Sequence, residues 1–205
     1  MVLNVADVSR KENINPNNLA NSNRHKEILK NQIEDQKFKK LHKIEFELRI
    51  VKQVHDCMIT NFYSTYVIQK KGSKWSKELN SRKLNKLTQT AHFEIDNGII
   101  MTLITNLGDF AKELDVEKAY NHIQTSKELQ RFLGFKYREK AQTYSTISFD
   151  WNMSFQIFCF IMNKILKLFR IKFKIRVASF IDNFLLLSRN KKRLEQDKKD
   201  MILFI

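Results

Sequence analysis

Phe180-Ile181-Asp182-Asn183-Phe184-Leu185-Leu186-Leu187-Ser188 is the stretch on which the reading of this chain turns. Two apolar runs, residues 175–180 and 184–188, flank an Asp-Asn pair, and that pattern predicts a β-hairpin whose tight turn is Asp182-Asn183. Just upstream, residues 155–170 carry apolar side chains densely enough for a buried helix. Downstream, Asn190 stands where it can cap a last helix running to Asp200. A helix, a hairpin and a second helix in succession do not fit a regular βαβ repeat.

Further from the hairpin the same mixture continues. Residues 132–137 and 143–149 read as paired strands joined by the charged turn Arg138-Glu139-Lys140, and residues 112–116 as a short strand. Residues 99–107 carry a helical stripe with Gly108 placed to end it. Residues 63–69 read as a strand, Lys70-Lys71-Gly72-Ser73-Lys74 as a turn, and a second strand begins near Trp75. Apolar residues at spacings of three and four from Phe38 to Met58 predict one helix over residues 38–58. Residues 1–35 are rich in Asn and Lys, contain the single proline Pro16, and read as a polar tail ordered by a partner. Interspersed helices and antiparallel strands predict an α+β fold.

The chain has 205 residues, 42% of them hydrophobic, and 16 phenylalanines, enough to build a core. A formal net charge of +15 favours an anionic partner: nucleic acid, anionic lipid or an acidic protein surface. Cys57 and Cys159 form neither a disulfide framework nor a zinc motif, and read as small buried hydrophobes. The five histidines show no ligand spacing, no Gly-rich phosphate loop is present, and no Ser-His-Asp arrangement follows from spacing. The N-terminus is polar where a signal peptide would be apolar. The most apolar run, residues 155–169, is broken by Asn163, Lys164 and Lys167, so no membrane span and an intracellular location are expected.

The order of these elements, and the residues at their junctions, resemble retroelement reverse transcriptases, those of gypsy-like and DIRS-like elements above all, over roughly residues 60–200. Lys70, Lys71, Trp75 and Arg82-Lys83-Leu84-Asn85-Lys86 are similar to the basic fingers hairpin that covers an incoming triphosphate. Leu114-Asp115-Val116-Glu117-Lys118-Ala119-Tyr120 resembles the first palm motif. There an aspartate binds the catalytic metals, and an aromatic five residues on excludes a 2′-hydroxyl. Phe132-Leu133-Gly134-Phe135 matches a common palm strand. Phe180-Ile181-Asp182-Asn183 is similar to the hairpin in which the family carries aromatic-x-Asp-Asp. The resemblance implies an antiparallel sheet packed on helices, with a tail at 1–35, a fingers-like region at 36–110 and a palm-like region at 111–205.

Four departures matter. Ser76 stands where many members have an arginine, losing a bidentate triphosphate contact. Asp150 replaces a glycine at which the backbone approaches the nascent base pair, and both prolines of that motif are missing. Asn183 replaces the second hairpin carboxylate. The chain ends at Ile205, before the family's thumb and RNase H regions would come. Two-metal catalysis needs cations about 3.5–4 Å apart, and at most Asp115 and Asp182 remain to hold one.

The expectation is therefore a catalytically inactive accessory or scaffold subunit of a larger, nuclear, nucleic-acid-acting complex. Asp115, Tyr120, Asp182 and Asn183 would be vestiges. No cofactor is expected, with Mg²⁺ needed only if polymerase activity persists. Lys70, Lys71, Lys74, Lys77, Arg82, Lys83 and Lys86 would meet DNA or RNA phosphates, or else form a solvated basic face. A protein partner, such as a nucleic-acid-modifying enzyme, would cover the palm. The alternatives are a low-activity RNA-directed DNA polymerase fragment of a retrotransposon, and a scaffold that contacts protein only.

Overall fold

The computed structural model describes residues 31–88, 102–180 and 183–204. They fall into two compact units, each assembled from separated segments. The first holds residues 31–88 and 120–155; the second holds residues 102–119 and 156–204.

The first unit opens with helix α1 (Gln32–Glu47). Asn31 and Glu34 form a reciprocal capping box: the Asn31 side chain accepts from the Glu34 amide at 2.8 Å, and the Glu34 carboxylate accepts from the Asn31 amide. Phe38 and His42 are its buried residues. The helix expected over residues 38–58 thus starts earlier and ends at Glu47. Arg49 adopts φ +58°, outside the helical region, and the chain turns into strand β1 (Val51–Gln53). Val51 is buried as a strand residue opposite Tyr144, while Met58 is left exposed. Cross-strand pairing overrides the local helical spacing there. Cys57, expected to be buried, is exposed in the short 3₁₀ turn Asp56–Met58.

Strands β2 (Thr65–Gln69) and β3 (Trp75–Leu79) form an antiparallel hairpin, as the sequence predicts. Its connection contains Gly72 at φ +76°, a conformation glycine adopts without strain. Helix α2 (Arg82–Leu87) follows. Helix α3 (Lys127–Gln130) is capped by Ser126 and precedes β5 (Gly134–Tyr137) and β6 (Lys140–Tyr144). The sheet order is β1-β6-β5. Arg138 and Glu139 both have positive φ, as a two-residue hairpin turn requires, so Lys140 belongs to the ladder rather than to the turn. Strand β6 also ends at Tyr144, short of the expected residue 149, and residues 145–151 continue as non-strand backbone. Leu79, Leu133, Phe135, Ile147 and Trp151 are buried in this unit's core.

The second unit is a three-stranded antiparallel sheet ordered β4-β8-β7, from β4 (Phe110–Asp115), β7 (Arg176–Phe180) and β8 (Asn183–Ser188). Helix α4 (Asn152–Lys172) contributes from Gln156 onward, and α5 (Lys191–Phe204) packs on β4 and β8. Phe169, Phe173 and Phe204 pack their rings at centroid distances of 5.4–5.6 Å, tying the two helices together. The Asn190 side chain accepts from the amides of Lys192 and Arg193, so the predicted cap is present. Gly108 has φ +85° but follows residues 102–104, the described helical end, by four positions; it turns the chain toward β4 and does not cap the helix. No helix among the described residues is long and apolar enough to cross a membrane.

Candidate functional site

In the first unit, the β2–β3 connection and the start of α2 gather most of the predicted phosphate-contacting residues. Lys70, Lys71 and Lys74 are exposed around the hairpin turn, and Arg82, Lys83 and Lys86 are exposed on α2. Lys77 does not belong with them. It sits opposite Val67 in the β2–β3 ladder, on the face turned into the core, and its side chain has no exposed surface. Its ammonium donates to Glu45 Oε2 at 2.6 Å and to the Tyr144 hydroxyl at 3.0 Å. The rings of Phe135 and Tyr144 lie 4.4 and 4.7 Å from it. Burial pulls the Lys77 amine below its ordinary range, and Glu45 opposes that shift. A nucleic acid cannot reach it.

The carboxylate of Asp150 is held against the same hairpin. The Tyr66 hydroxyl donates to Asp150 Oδ2 at 3.0 Å. Asn85 on α2 donates to the Asp150 carbonyl at 2.9 Å and accepts from the Asn152 amide, so the start of α4 is pinned to α2. Tyr66 lies directly opposite Glu78 in the β2–β3 ladder. Burial, then Asp150, pushes the Glu78 acid up, and Lys70, 3.8 Å away, opposes this. Burial and then Asp150 also raise the Tyr66 phenol to about 12. Ser76, at the position of the missing arginine, also holds the Glu78 acid down slightly. Thus Asp150 is a partner of hairpin side chains, a role its replacement of glycine did not reveal.

Tyr120 lies in the 3₁₀ turn Ala119–His122 and meets Phe149 edge to face at 5.3 Å. Phe149 is 63% exposed, and the Lys70 ammonium stands 5.4 Å over its ring. An exposed aromatic ring under a cation, backed by a half-buried one, is suited to a planar, anionic ligand. Sequence reasoning passed over Phe149 as a site residue; its exposure follows from β6 ending at Tyr144.

In the second unit, the predicted palm residues meet at one end of the sheet. Asp115, the last residue of β4, pairs with Asn183, the first of β8, and Asn183 pairs in turn with Phe180 of β7. Asn183 is therefore a ladder residue and not half of a turn. Asp182 lies outside the described residues. The Asn183 amide nitrogen donates to Glu113 Oε1 at 2.8 Å. Glu113 was not singled out in the sequence, although its two-residue offset from Asp115 puts both on one face of β4.

Among the described residues, no group of three or more His, Cys, Asp or Glu side chains comes together to hold a metal. A divalent cation is held best by converging carboxylates. Here Asp115 brings one, and Asn183 brings a neutral amide whose nitrogen is already given to Glu113. The described residues alone do not make a two-metal clamp.

A strand-borne aspartate set against a β-hairpin, in an α+β chain that also presents a basic hairpin, defines a polymerase-like protein. Residues 68–204 match the family described as reverse transcriptase (RNA-dependent DNA polymerase), about two thirds of the chain, and the chain belongs to that family. No curated protein matches it in sequence.

Proposed function

We propose that this reverse transcriptase family member binds nucleic acid through its β2–β3 hairpin and α2, and works as a non-catalytic subunit of a larger assembly. The observation that carries the non-catalytic part is the bond from the Asn183 amide to Glu113 beside Asp115. An amide replaces an anion at the sheet end where the resemblance expects metal, and its nitrogen turns a neighbouring carboxylate toward itself. The binding part is supported by six exposed basic residues on two adjacent elements of one unit, in a chain of net charge +15.

Primer extension with Mg²⁺ or Mn²⁺, beside an Asp115→Ala control, tests the first part; template-dependent extension abolished by the control overturns it. That outcome would favour the second reading, a low-activity polymerase fragment, for which Asp115's retained place opposite the hairpin speaks. Binding to single strands and duplexes across salt concentrations tests the other part. An affinity that does not fall with salt would favour scaffolding through protein contacts alone.

A further inference from the structure

We propose that the outer face of helix α4 is a docking surface for an acidic amphipathic helix of a partner protein. It rests on the assembly part of the function proposed above, supplies that assembly with a partner of defined chemistry, and uses none of the residues assigned to nucleic acid.

Helix α4 buries Phe158, Met162, Leu166 and Phe169 against its own unit. With about 100° of turn per residue, Phe160, Lys164, Lys167 and Ile171 fall on the opposite side. All four are exposed, Phe160 to 59% and Ile171 to 66%. Their steps of four, three and four residues are those of a coiled-coil seam, along which side chains interlock with a second helix. From Phe160 to Ile171 the stripe is about 16 Å long. An apolar side chain closes each end, and two cations occupy the middle.

No carboxylate of the helix answers those cations, because α4 contains no Asp or Glu in its 21 residues. Three acids of the same unit are paired elsewhere: Asp109 with Arg176, Glu195 with Lys112, and Asp197 with Arg193. The Lys164 ammonium lies 4.5 Å over the Phe160 ring, a contact that keeps it along the stripe.

These features select the occupant. A second copy of the chain would set lysine against lysine. A lipid surface calls for a broad apolar face, and here the apolar side chains stand apart at the two ends. Phosphates would answer the lysines and leave Ile171 without a contact. A helix with carboxylates at two central positions and apolar side chains at the outer two answers all four residues. The stripe reads alike in both directions, so that helix can lie parallel or antiparallel to α4.

A displayed library of helical peptides of about 20 residues, ~30 Å long, randomised at four seam positions, tests this against the full chain. Enriched peptides should carry Asp or Glu at the two central positions and apolar side chains at the outer two. Lys164→Glu combined with Lys167→Glu should weaken their binding by about tenfold or more. Each lysine–carboxylate pair ~4 Å apart is worth about fivefold even in a water-like dielectric. Peptides with lysine at the central positions should then bind the doubly changed chain, a rescue that a misfolded variant would not give. No enrichment, enrichment without acids, or binding indifferent to the charge reversal overturns the proposal. Phosphatidylserine vesicles or a single-stranded oligonucleotide bound through these two lysines, with no peptide bound, also overturns it. Primer extension and the salt dependence of nucleic-acid binding do not involve this face of α4, so they decide the proposed function separately.

Discussion

Asp115 and Asn183 face each other as the terminal pair of the β4–β8 ladder, and the Asn183 side chain reaches back along β4 to Glu113, 2.8 Å away. Replacing the amide by a carboxylate, Asn183→Asp, removes that hydrogen bond and sets like charges across and along the strand. Without divalent metal the variant should be less stable by about 0.5–1 kcal/mol, since like charges directly opposite cost that order. Mn²⁺ or Mg²⁺ should restore much of the loss, and should do little for the wild type. Thermal unfolding with and without the cation reads both effects; equal stabilisation of the two proteins would contradict the assignment.

Lys77 is a buried charge whose partners come from three separate elements. Lys77→Ala leaves Glu45 without its cation and should cost about 3–5 kcal/mol, whereas the pair Lys77→Met with Glu45→Gln should cost much less. Because burial holds the amine below its ordinary value, the unfolded chain binds the extra proton between the folded value and about 10.4. Stability therefore rises with pH through that window, and Lys77→Met should remove the rise. Denaturant titrations at several pH values measure it.

Alkaline solution should act in the opposite sense through tyrosine. Tyr63 is buried, its hydroxyl meets no hydrogen-bond partner, and burial holds its phenol at about 12. Between about 10 and 12 the folded state keeps a proton that the unfolded chain releases, so stability falls as pH rises above 10. Tyr63→Phe should leave stability at neutral pH unchanged or slightly higher, because an unpaired buried hydroxyl is lost. It should also flatten part of the alkaline decline.

The exposed and buried lysines should separate in a salt titration of nucleic-acid binding. Each of Lys71→Ala and Lys74→Ala should weaken binding to all sequences alike and lower the salt slope by about 0.7–0.9, one phosphate contact each. Lys77→Met should leave that slope unchanged, because its side chain has no exposed surface. A slope that fell equally for Lys77→Met would show that the buried position had been misassigned.

Gly134 begins β5 at a point where Tyr63 donates its amide to the Gly134 carbonyl at 2.8 Å. An added Cβ would run into the Ile59 side chain and stand 3.0 Å from the Asn61 backbone oxygen. Gly134→Ala should therefore cost about 1–3 kcal/mol, the usual size of overpacking in a close-packed interior. Chemical denaturation would show a lower midpoint with an unchanged slope.

The elements near the hairpin were readable in the sequence because local pattern and tertiary environment agree there. Short apolar runs on either side of a turn made β7 and β8, and Asn190 capped α5 as its side chain predicts. Residues 38–58 were misread because Val51 and Val54 keep helical spacing from Leu48, although β6 supplies Val51 with a strand partner. Cys57 is exposed although a lone cysteine usually packs as a small hydrophobe, because it falls in the 3₁₀ turn that leaves β1.

The sequence by itself determined the family, the α+β class and the order of the motifs, because these rest on residue types at set intervals along one chain. Tertiary structure alone decided what several of those residues do. Lys70 and Lys77 look alike in sequence, but the strand register turns Lys77 inward to Glu45 and Tyr144, 32 and 67 positions away, and leaves Lys70 half exposed. Asn183 likewise acquired its role from Glu113, 70 positions earlier, through the pairing of β4 with β8. A charge's function depends on which dipoles and charges surround it, and those neighbours are set by how distant segments pack.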